Sequence, residues 1–236
     1  MSAERISAVR RARALRVAGL YAVTPDLDDT ATLVAKVVAA LQGGAAVVQY
    51  RNKPASPSMR REQARALARV LAVRGGMLVV NDDPDLAVEV DADGVHVGED
   101  DAPLAATRAR IGPDRLIGVS CYNDWQRARR AVDEGADYIA FGSFFASATK
   151  PQARRAEIEL LARSRSLGVP VVAIGGITAA NASVLIDAGA SAVAVIGDVF
   201  AHDDLAQVTR SAAALDALFA RNRATARRSA SHDPHA

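Results

Sequence analysis

Short apolar runs alternate with longer Ala-, Leu- and Arg-rich segments along most of the 236-residue chain. The apolar runs have the length of buried strands, and the segments between them have the apolar spacing of helices. Strands that alternate with helices in this way pair in parallel through right-handed crossovers. The predicted strands are Leu20–Val23, Ala46–Tyr50, Met77–Asn81, Gly94–Val97, Leu116–Val119, Tyr138–Phe141, Val171–Ile174 and Ala192–Ile196.

About eight such units in roughly 200 residues predict a single α/β domain, a (β/α)₈ TIM barrel. An open, doubly wound sheet is the alternative. We divide the chain into a basic N-terminal extension with a short helix (residues 1–18), the barrel (19–222) and a C-terminal tail (223–236). The tail is expected to be disordered.

Composition and charge restrict the class of protein. The 29 basic and 27 acidic residues nearly balance, so the net charge does not indicate a nucleic-acid-binding protein. A single cysteine, Cys121, excludes an intrachain disulfide framework and fits a reducing compartment. No stretch approaches the roughly 18 apolar residues of a membrane span. We interpret the Arg-rich opening as a helix across one end of the domain, not as a signal or transit peptide. We expect a cytoplasmic protein, and the sequence leaves a homo-oligomer open.

The second strand ends in polar side chains that share one face. Because successive strand residues point to opposite faces, Val47, Gln49, Arg51 and Lys53 point the same way. An amide, a guanidinium and an ammonium together favour an anion site beside a heterocycle. A solvated strand end is the alternative.

Other strand ends are polar too, and in a barrel they meet at the C-terminal rim, where active sites lie. Asn81, Asp82, Asp101 and Ser120 follow or end three consecutive strands. Asp82 and Asp101 would lie near enough to share Mg²⁺, which carboxylates and substrate phosphates hold together. Spacing alone does not choose between these two and their acidic neighbours Asp83, Asp85, Glu99 and Asp100. For His96, which lies inside an apolar strand, a satisfied core histidine is the interpretation we favour.

Glycines at the seventh and eighth strand ends indicate a phosphate site. Gly175-Gly176 and Ile196-Gly197 lie where barrels often bind phosphate through backbone N–H groups, although ordinary turns are the alternative. Lys150 ends a Gly- and Ser-containing loop and is interpreted as a phosphate clamp. Basic residues and carboxylates on one side and a phosphate cup on the other predict two anionic substrates, one of them a pyrophosphate. Cys121 has no evident basic partner and receives no catalytic role.

Taken in order, these motifs resemble the thiamine-phosphate synthase (thiamine-phosphate pyrophosphorylase) family over roughly residues 19 to 219. The segments that carry the resemblance are Gln49-x-Arg51-x-Lys53, Asn81-Asp82, Asp93-Gly94-Val95-His96-Val97-Gly98 followed by Asp101, Gly118-Val119-Ser120, Thr149-Lys150 and Ile174-Gly175-Gly176-Ile177. The resemblance implies a transferase that joins an aminopyrimidine-methyl pyrophosphate to hydroxyethylthiazole phosphate, giving thiamine monophosphate and pyrophosphate. The family is thought to react dissociatively, through a pyrimidine-stabilised carbocation that the thiazole nitrogen captures.

The resemblance also implies residue roles. Catalysis would depend on Arg51, Lys53, Ser120 and Lys150. The pyrimidine pyrophosphate would be bound by Gln49, Tyr50, Arg51, Asn52, Lys53, Asn81, Ser120 and Lys150. Mg²⁺ would be held by Asp82 and Asp101, a choice that spacing left open. The thiazole phosphate would be bound by Ser147, Ala148, Thr149, Gly176, Ile196 and Gly197.

Three positions depart from the family pattern. The loop Pro-Thr-x-Thr-Lys reads Ala146-Ser147-Ala148-Thr149-Lys150 here, Glu99 stands where Gln is frequent, and Gly197 replaces a frequent Ser. We expect function to be retained with a more mobile loop, because Ser147 keeps the hydroxyl and a backbone N–H at Gly197 can still bind phosphate.

Three other functions would use a similar barrel. A thiazole tautomerase-like homologue would share the thiazole phosphate cup but would not need the pyrophosphate and metal residues. A non-catalytic phosphate-ligand-binding barrel would bind without turnover. A sugar-phosphate isomerase should show an Asp, Glu or Cys acid–base pair, which the sequence does not indicate.

Overall fold

Eight parallel strands close into a barrel in the computed structural model, which describes residues 3–146 and 155–230. Each strand pairs with its neighbours in chain order, and the last strand pairs with the first. The closed sheet confirms the predicted (β/α)₈ TIM barrel over the open doubly wound sheet. The strands are β1 (Gly19–Val23), β2 (Val47–Tyr50), β3 (Met77–Asn81), β4 (Gly94–Val97), β5 (Leu116–Tyr122), β6 (Tyr138–Gly142), β7 (Val171–Ile174) and β8 (Ala192–Val195).

Helices follow every strand and form the outer layer. The helices are α1 (Ala3–Ala14), α2 (Thr30–Gln42), α3 (Pro57–Arg74), α4 (Pro84–Glu89), α5 (Leu104–Ile111), α6 (Trp125–Asp133), α7 (Glu159–Ser164), α8 (Ala182–Ala188), α9 (Gly197–Phe200) and α10 (Leu205–Ala230). Four of them begin at a side chain that accepts a hydrogen bond from the first turn, which satisfies a free helical N–H. These capping residues are Asp29, Ser56, Asp83 and Asp124.

Strand alternation divides the core into two layers. Inward-facing residues such as Val47, Met77 and Leu116 form a cluster inside the barrel. Their sequence neighbours, such as Val48 and Leu78, form a larger cluster between the sheet and the helices. Nearly all of these side chains are Ala, Val, Leu or Ile, as the low aromatic content predicts.

The N-terminal helix closes the end of the barrel away from the polar rim. Ala14 and Val17 are buried in the same inner cluster as Met77 and Leu116. Two arginines fix this end to the barrel, because Arg10 Nε and Arg108 Nη2 each lie 2.7 Å from a carboxylate oxygen of Asp137. The predicted short N-terminal helix is therefore confirmed.

The C-terminal helix is longer than predicted. α10 continues through residue 222 to Ala230, whereas the sequence predicted disorder from residue 223. The segment 223–230 consists largely of Ala and Arg, which are strong helix formers and favour continuation of α10. The remaining residues of the predicted tail, 231–236, lie outside the described residues. Among the described helices, none is both long enough and apolar enough to cross a bilayer.

Replacing Asp137 with Asn should lower the free energy of unfolding by about 2 kcal/mol, because Arg10 and Arg108 would lose their shared, nearly buried counter-charge. Asp137 also accepts a hydrogen bond from the Ile117 N–H at 2.8 Å, which Asn can still accept. Urea unfolding measures the difference. Asp85→Asn is the matched control, because its pair with Arg110 is exposed and should contribute little. Equal losses in the two variants would contradict this account.

Candidate active site

The polar end of β2 lies at the C-terminal rim of the barrel. Gln49 points inward with Val47: its amide Nε2 donates a 3.0 Å hydrogen bond to the Tyr21 hydroxyl inside the barrel. Beyond the strand, Arg51 is mostly shielded and Lys53 is largely exposed, with side chains 19% and 60% accessible. The alternation that the sequence predicts therefore places an amide deep in the site and two cations above it.

The loop after β1 holds these cations in place. Asp26 accepts from Arg51 Nη1 at 3.1 and 3.3 Å and from the Lys53 backbone N–H at 3.2 Å. Thr24 Oγ1 accepts from the Arg51 N–H at 2.8 Å and donates to the Arg51 carbonyl at 2.9 Å. Our sequence analysis did not identify Asp26 or Thr24, although both lie within three residues of the end of the first predicted strand.

The carboxylates of Asp82 and Asp101 lie side by side at the next two strand ends. Asp82 adopts a left-handed backbone conformation, with φ of 60°, and its N–H donates to the His96 carbonyl at 2.8 Å. Asp101 accepts from the Gly98 N–H at 2.6 Å. Burial, and then the neighbouring Asp82 carboxylate, raise the pKa of Asp101, against the opposing effects of the Gly98 N–H and Lys53. Lys53 Nζ also pairs with Asp82 at 3.2 Å.

These two carboxylates fit a hard divalent cation whose remaining coordination positions are filled by other ligands. Within residues 3–146 and 155–230, no group of three or more His, Cys, Asp or Glu side chains is arranged to hold a metal. Two facing carboxylates suit Mg²⁺, which usually keeps waters and binds substrate phosphates. Two alternatives that the sequence left open have other partners: Asp83 caps α4 through the Leu86 N–H, and Asp85 pairs with Arg110.

A continuous chain of hydrogen bonds crosses the barrel interior below the rim. From Gln49 it passes through Tyr21, whose hydroxyl lies 2.9 Å from that of Tyr138. The Tyr138 hydroxyl lies 3.2 Å from His96 Nδ1, and His96 Nε2 lies 2.9 Å from Ser120 Oγ. The chain thus ends at a rim hydroxyl to which the family resemblance assigns pyrophosphate binding.

His96 is a buried and satisfied histidine, in agreement with the interpretation favoured above. Burial lowers the pKa of His96 to about 4, against a smaller opposing effect of Asp101. The ring is therefore neutral near neutral pH. Its sequence surroundings did not indicate that one of its two partners would be Ser120.

Two residues assigned to the substrate by resemblance, Tyr50 and Asn52, make side-chain hydrogen bonds within the protein. Tyr50 belongs to the cluster between sheet and helices, and its hydroxyl donates to Gln63 Oε1 at 2.9 Å. Asn52 donates to the Leu27 carbonyl at 2.8 Å and to Gln63 Oε1 at 3.0 Å. These contacts hold the β2 loop against α3. Both residues also line the cleft beside Arg51, and their role in substrate binding stays a prediction.

The turns after β7 and β8 lie next to each other. Gly175 and Gly176 have φ of 104° and 62°, and a Cβ on either would collide with Ser143 or with the Ala146 carbonyl. These glycines are thus required by the approach of the β6 loop, a reason the sequence did not predict. Gly197 instead has open space where its Cβ would be. Asp198 joins the two turns by accepting from the Ala179 N–H at 3.1 Å.

Four predicted residues cannot be placed, because Ser147, Ala148, Thr149 and Lys150 lie outside the described residues. Two residues at the rim were missed by the sequence analysis. Arg60 lines a cleft that Arg51, Lys53, Asn81 and Asp82 also line, and its buried Nε has no hydrogen-bond partner among the described residues. Tyr122 is exposed and adopts a left-handed conformation, which is rare for a bulky residue.

Cys121 lies near the rim but points away from it. The thiol is buried in the outer cluster, and burial raises its pKa to about 12. A protonated, shielded thiol is a poor nucleophile, which agrees with the prediction that Cys121 has no catalytic role.

Comparisons with known proteins agree on one family. A family model described as thiamine monophosphate synthase matches residues 20–199. Proteins named thiamine-phosphate synthase from Methylobacillus flagellatus and Azoarcus sp. are 52% and 53% identical to this chain. The matches cover 80% and 87% of this chain and 90% and 98% of those proteins.

Solved structures agree at the level of the fold and, in one case, of sequence. A thiamine phosphate pyrophosphorylase from Pyrococcus furiosus superposes with a TM-score of 0.76 at 30% identity, over 88% of this chain and 98% of that chain. A 3-hexulose-6-phosphate synthase superposes with a TM-score of 0.64 at 18% identity, over 84% of this chain and 99% of that chain, and therefore shares only the fold.

Proposed function

Since this chain belongs to the thiamine monophosphate synthase family, whose members are transferases, we propose that its rim joins an aminopyrimidine-methyl pyrophosphate to hydroxyethylthiazole phosphate. The products would be thiamine monophosphate and pyrophosphate. One observation carries the proposal: Arg51, Lys53 and the carboxylates of Asp82 and Asp101 meet at one side of the rim, across the barrel from the turns after β7 and β8.

The cationic side of the rim suits a departing pyrophosphate. Arg51 presents a planar, permanently charged fork that matches phosphate oxygens, and Asp26 already holds it in place. Lys53 adds a mobile charge, Asn81 an amide and Ser120 a hydroxyl at neighbouring strand ends. Lys150 would complete this set from the loop after β6. Charge neutralisation of the leaving group is the main requirement of a dissociative reaction.

Asp82 and Asp101 are the residues that would hold Mg²⁺ in this site. When bound, the ion would neutralise pyrophosphate oxygens and so improve the leaving group. Support comes from the raised pKa of Asp101, which burial and then the adjacent Asp82 carboxylate produce, because a bound cation would offset both the desolvation and the repulsion of the two carboxylates. Lys53 pairs with Asp82 in the protein alone and would be free to contact the pyrophosphate once the carboxylate binds a cation.

Gln49 is suited to read the pyrimidine. Its Nε2 donates to the Tyr21 hydroxyl at 3.0 Å, which leaves its carbonyl oxygen as the group that could accept from a ligand. That oxygen accepts hydrogen bonds, and an exocyclic amine on the pyrimidine would supply the donor. Gln49 lies two residues before Arg51 on the same face of β2 and therefore deeper in the barrel. This position would place the pyrimidine ring inside the barrel and the pyrophosphate above it, at the rim.

The turns after β7 and β8 would bind the thiazole phosphate. Backbone N–H groups of Gly176 and Gly197, with Ile196 between strand and helix, lie at strand ends that commonly bind phosphate in such barrels. Ser147, Ala148 and Thr149 would add contacts from the β6 loop. In this arrangement the protein would orient the thiazole nitrogen toward the methylene carbon that the pyrophosphate leaves. It would also keep water away from the pyrimidine carbocation.

The rival functions use less of the site. A tautomerase-like homologue would have no need for the grouping of Arg51, Lys53, Asp82 and Asp101. A non-catalytic barrel would have no need for the shielded Gln49 amide that lies below this group. The cytoplasmic location and a homo-oligomer stay predictions from the sequence.

A two-substrate assay tests the proposed reaction. Full-length protein with Mg²⁺ and both substrates should form thiamine phosphate and release an equal amount of pyrophosphate, and omission of either substrate should stop product formation. Liquid chromatography of the product and an enzymatic pyrophosphate assay measure the two yields. Folded protein that binds both substrates but forms no product would favour the non-catalytic barrel.

A further inference from the structure

The hydrogen-bond chain below the rim can run in only one direction. The amide nitrogen of Gln49 only donates, so the Tyr21 oxygen accepts from it. Tyr21 is fully buried, and the only acceptor within reach of its own proton among the described residues is the Tyr138 oxygen. Tyr138 must then donate to His96 Nδ1, because no other described group can accept its proton. His96 therefore carries its proton on Nε2 and donates it to Ser120 Oγ.

The opposite tautomer would leave a buried proton without an acceptor. A proton on His96 Nδ1 would be donated to the Tyr138 oxygen, which already accepts from Tyr21. The Tyr138 hydroxyl would then have no acceptor inside a barrel where both tyrosines are almost completely shielded. An unsatisfied buried hydroxyl costs about 1–3 kcal/mol, which is enough to select one tautomer.

We propose that Tyr21, Tyr138 and His96 are positioning residues that oblige the Ser120 hydroxyl to donate its proton into the site. Because Ser120 accepts from His96, its own O–H is left for a ligand above the rim. Pyrophosphate oxygens only accept hydrogen bonds, so a hydroxyl whose proton is free for the ligand matches them, whereas a hydroxyl that donated to His96 could not donate to them. This inference rests on the proposed function for the identity of that ligand, but not for the direction of the chain.

Glycine at position 118 makes the chain of hydrogen bonds geometrically feasible. Gly118 is the register partner of His96 on β4 and of Tyr138 on β6, so it lies between them. A Cβ at this position would overlap the Tyr138 ring. Without that atom, the ring crosses over Gly118 and its hydroxyl reaches His96. This contact explains why the motif that ends in Ser120 begins with glycine.

The same chain connects the two halves of the pyrimidine substrate. Gln49, which would read the ring, is at one end, and Ser120, which would contact the pyrophosphate, is at the other. Tyr21 accepts from one N–H of the Gln49 amide, which leaves the amide oxygen to accept from the ligand. The polarity of the two contacts is thus coupled through the three buried residues between them.

Nitrogen NMR of the histidine rings tests the direction without any substrate. The chain contains four histidines, and comparison of the full-length protein with His96→Gln identifies the His96 signals. We expect Nε2 protonated and Nδ1 unprotonated near neutral pH in the ligand-free protein. A proton on Nδ1 would overturn the proposal, whatever the outcome of the two-substrate assay.

Tyr138→Phe tests the consequence for catalysis. Loss of the central hydroxyl should lower kcat/KM for the pyrimidine pyrophosphate about tenfold, as expected for one lost positioning hydrogen bond, and leave KM for the thiazole phosphate within about twofold. Ser164→Ala is the matched control, because it removes a buried hydroxyl bond to the Leu160 carbonyl within α7. Equal kinetics for the two variants would overturn the proposal. If Tyr138→Phe does not fold, the NMR result decides.

Discussion

Arg51→Ala is expected to lower kcat/KM for the pyrimidine pyrophosphate by on the order of a thousandfold, the upper end of what one oriented charge donor contributes to a transition state. Arg51 is the least exposed cation of the β2 loop, and Asp26 and Thr24 fix both its guanidinium and its backbone. A group held in this way needs little reorganisation when charge develops on the leaving pyrophosphate. Steady-state kinetics with the pyrimidine substrate varied at saturating thiazole phosphate measures the loss.

Arg65→Ala is the matched control for Arg51→Ala. Arg65 makes one arginine–carboxylate pair with Glu89, at 2.9 Å, on the outer surface between α3 and α4. The same chemical change there should leave the kinetics unaltered. Arg51→Lys should recover only part of the activity, because an ammonium lacks the planar fork. Full activity in Arg51→Ala would show that this cation does not contact the leaving group.

Asp82→Asn is expected to reduce turnover by on the order of a hundredfold and to weaken Mg²⁺ binding in the presence of pyrophosphate. The variant removes a charge but should preserve the fold, because Asn, like Asp, tolerates the left-handed conformation of this position. Calorimetric titration of Mg²⁺ into the pyrophosphate complex gives a readout that does not depend on turnover.

The surface supplies a close control for this change. Asp91 also has a left-handed backbone, with φ of 53°, and its exposed side chain pairs with Arg115 at 2.6 Å. Asp91→Asn should alter neither turnover nor Mg²⁺ affinity. If Asp82→Asn retains the Mg²⁺ affinity of the unaltered protein, the ion is not held by this carboxylate and the assignment of the pair is wrong.

Much of the fold follows from periodicity, and the exceptions have local causes. Strands β3, β4 and β7 begin and end where the apolar runs do. Strand β5 continues to Tyr122, because a register shift between Ser120 and Tyr122 lets the polar end keep pairing with β6. Helix α9 has four residues, which is too short for a helical period to be recognised.

The candidate site is less accessible to sequence reasoning than the fold. Gln49, Arg51 and Lys53 could be assigned to one face, because strand alternation requires it. The same alternation places the Tyr50 side chain on the other face, where its hydroxyl donates to Gln63, so its role in substrate binding stays a prediction of the resemblance. Tyr21 and Tyr138 lie in otherwise apolar strands and meet only because the barrel closes, a long-range contact that no local pattern indicates.

The roles of the glycines and acidic residues in the rim turns depend on contacts and backbone conformations that the sequence does not show. Gly175 and Gly176 are conspicuous in sequence, but the contact that requires them comes from Ser143 and Ala146 on a different loop. Asp82 and Asp83 are adjacent and chemically identical. One caps α4, and the other is turned toward Asp101 by its left-handed backbone, a difference that spacing cannot reveal.

A crystal structure of the full-length protein with Mg²⁺, pyrophosphate and thiamine phosphate would test the central claim, that one rim binds both products. We expect pyrophosphate in contact with Arg51, Lys53 and the Ser120 hydroxyl, Mg²⁺ between Asp82 and Asp101, and the phosphate of thiamine phosphate at the Gly176 and Gly197 turns. Pyrophosphate bound away from Arg51, or an ion that ignores both carboxylates, would contradict the account.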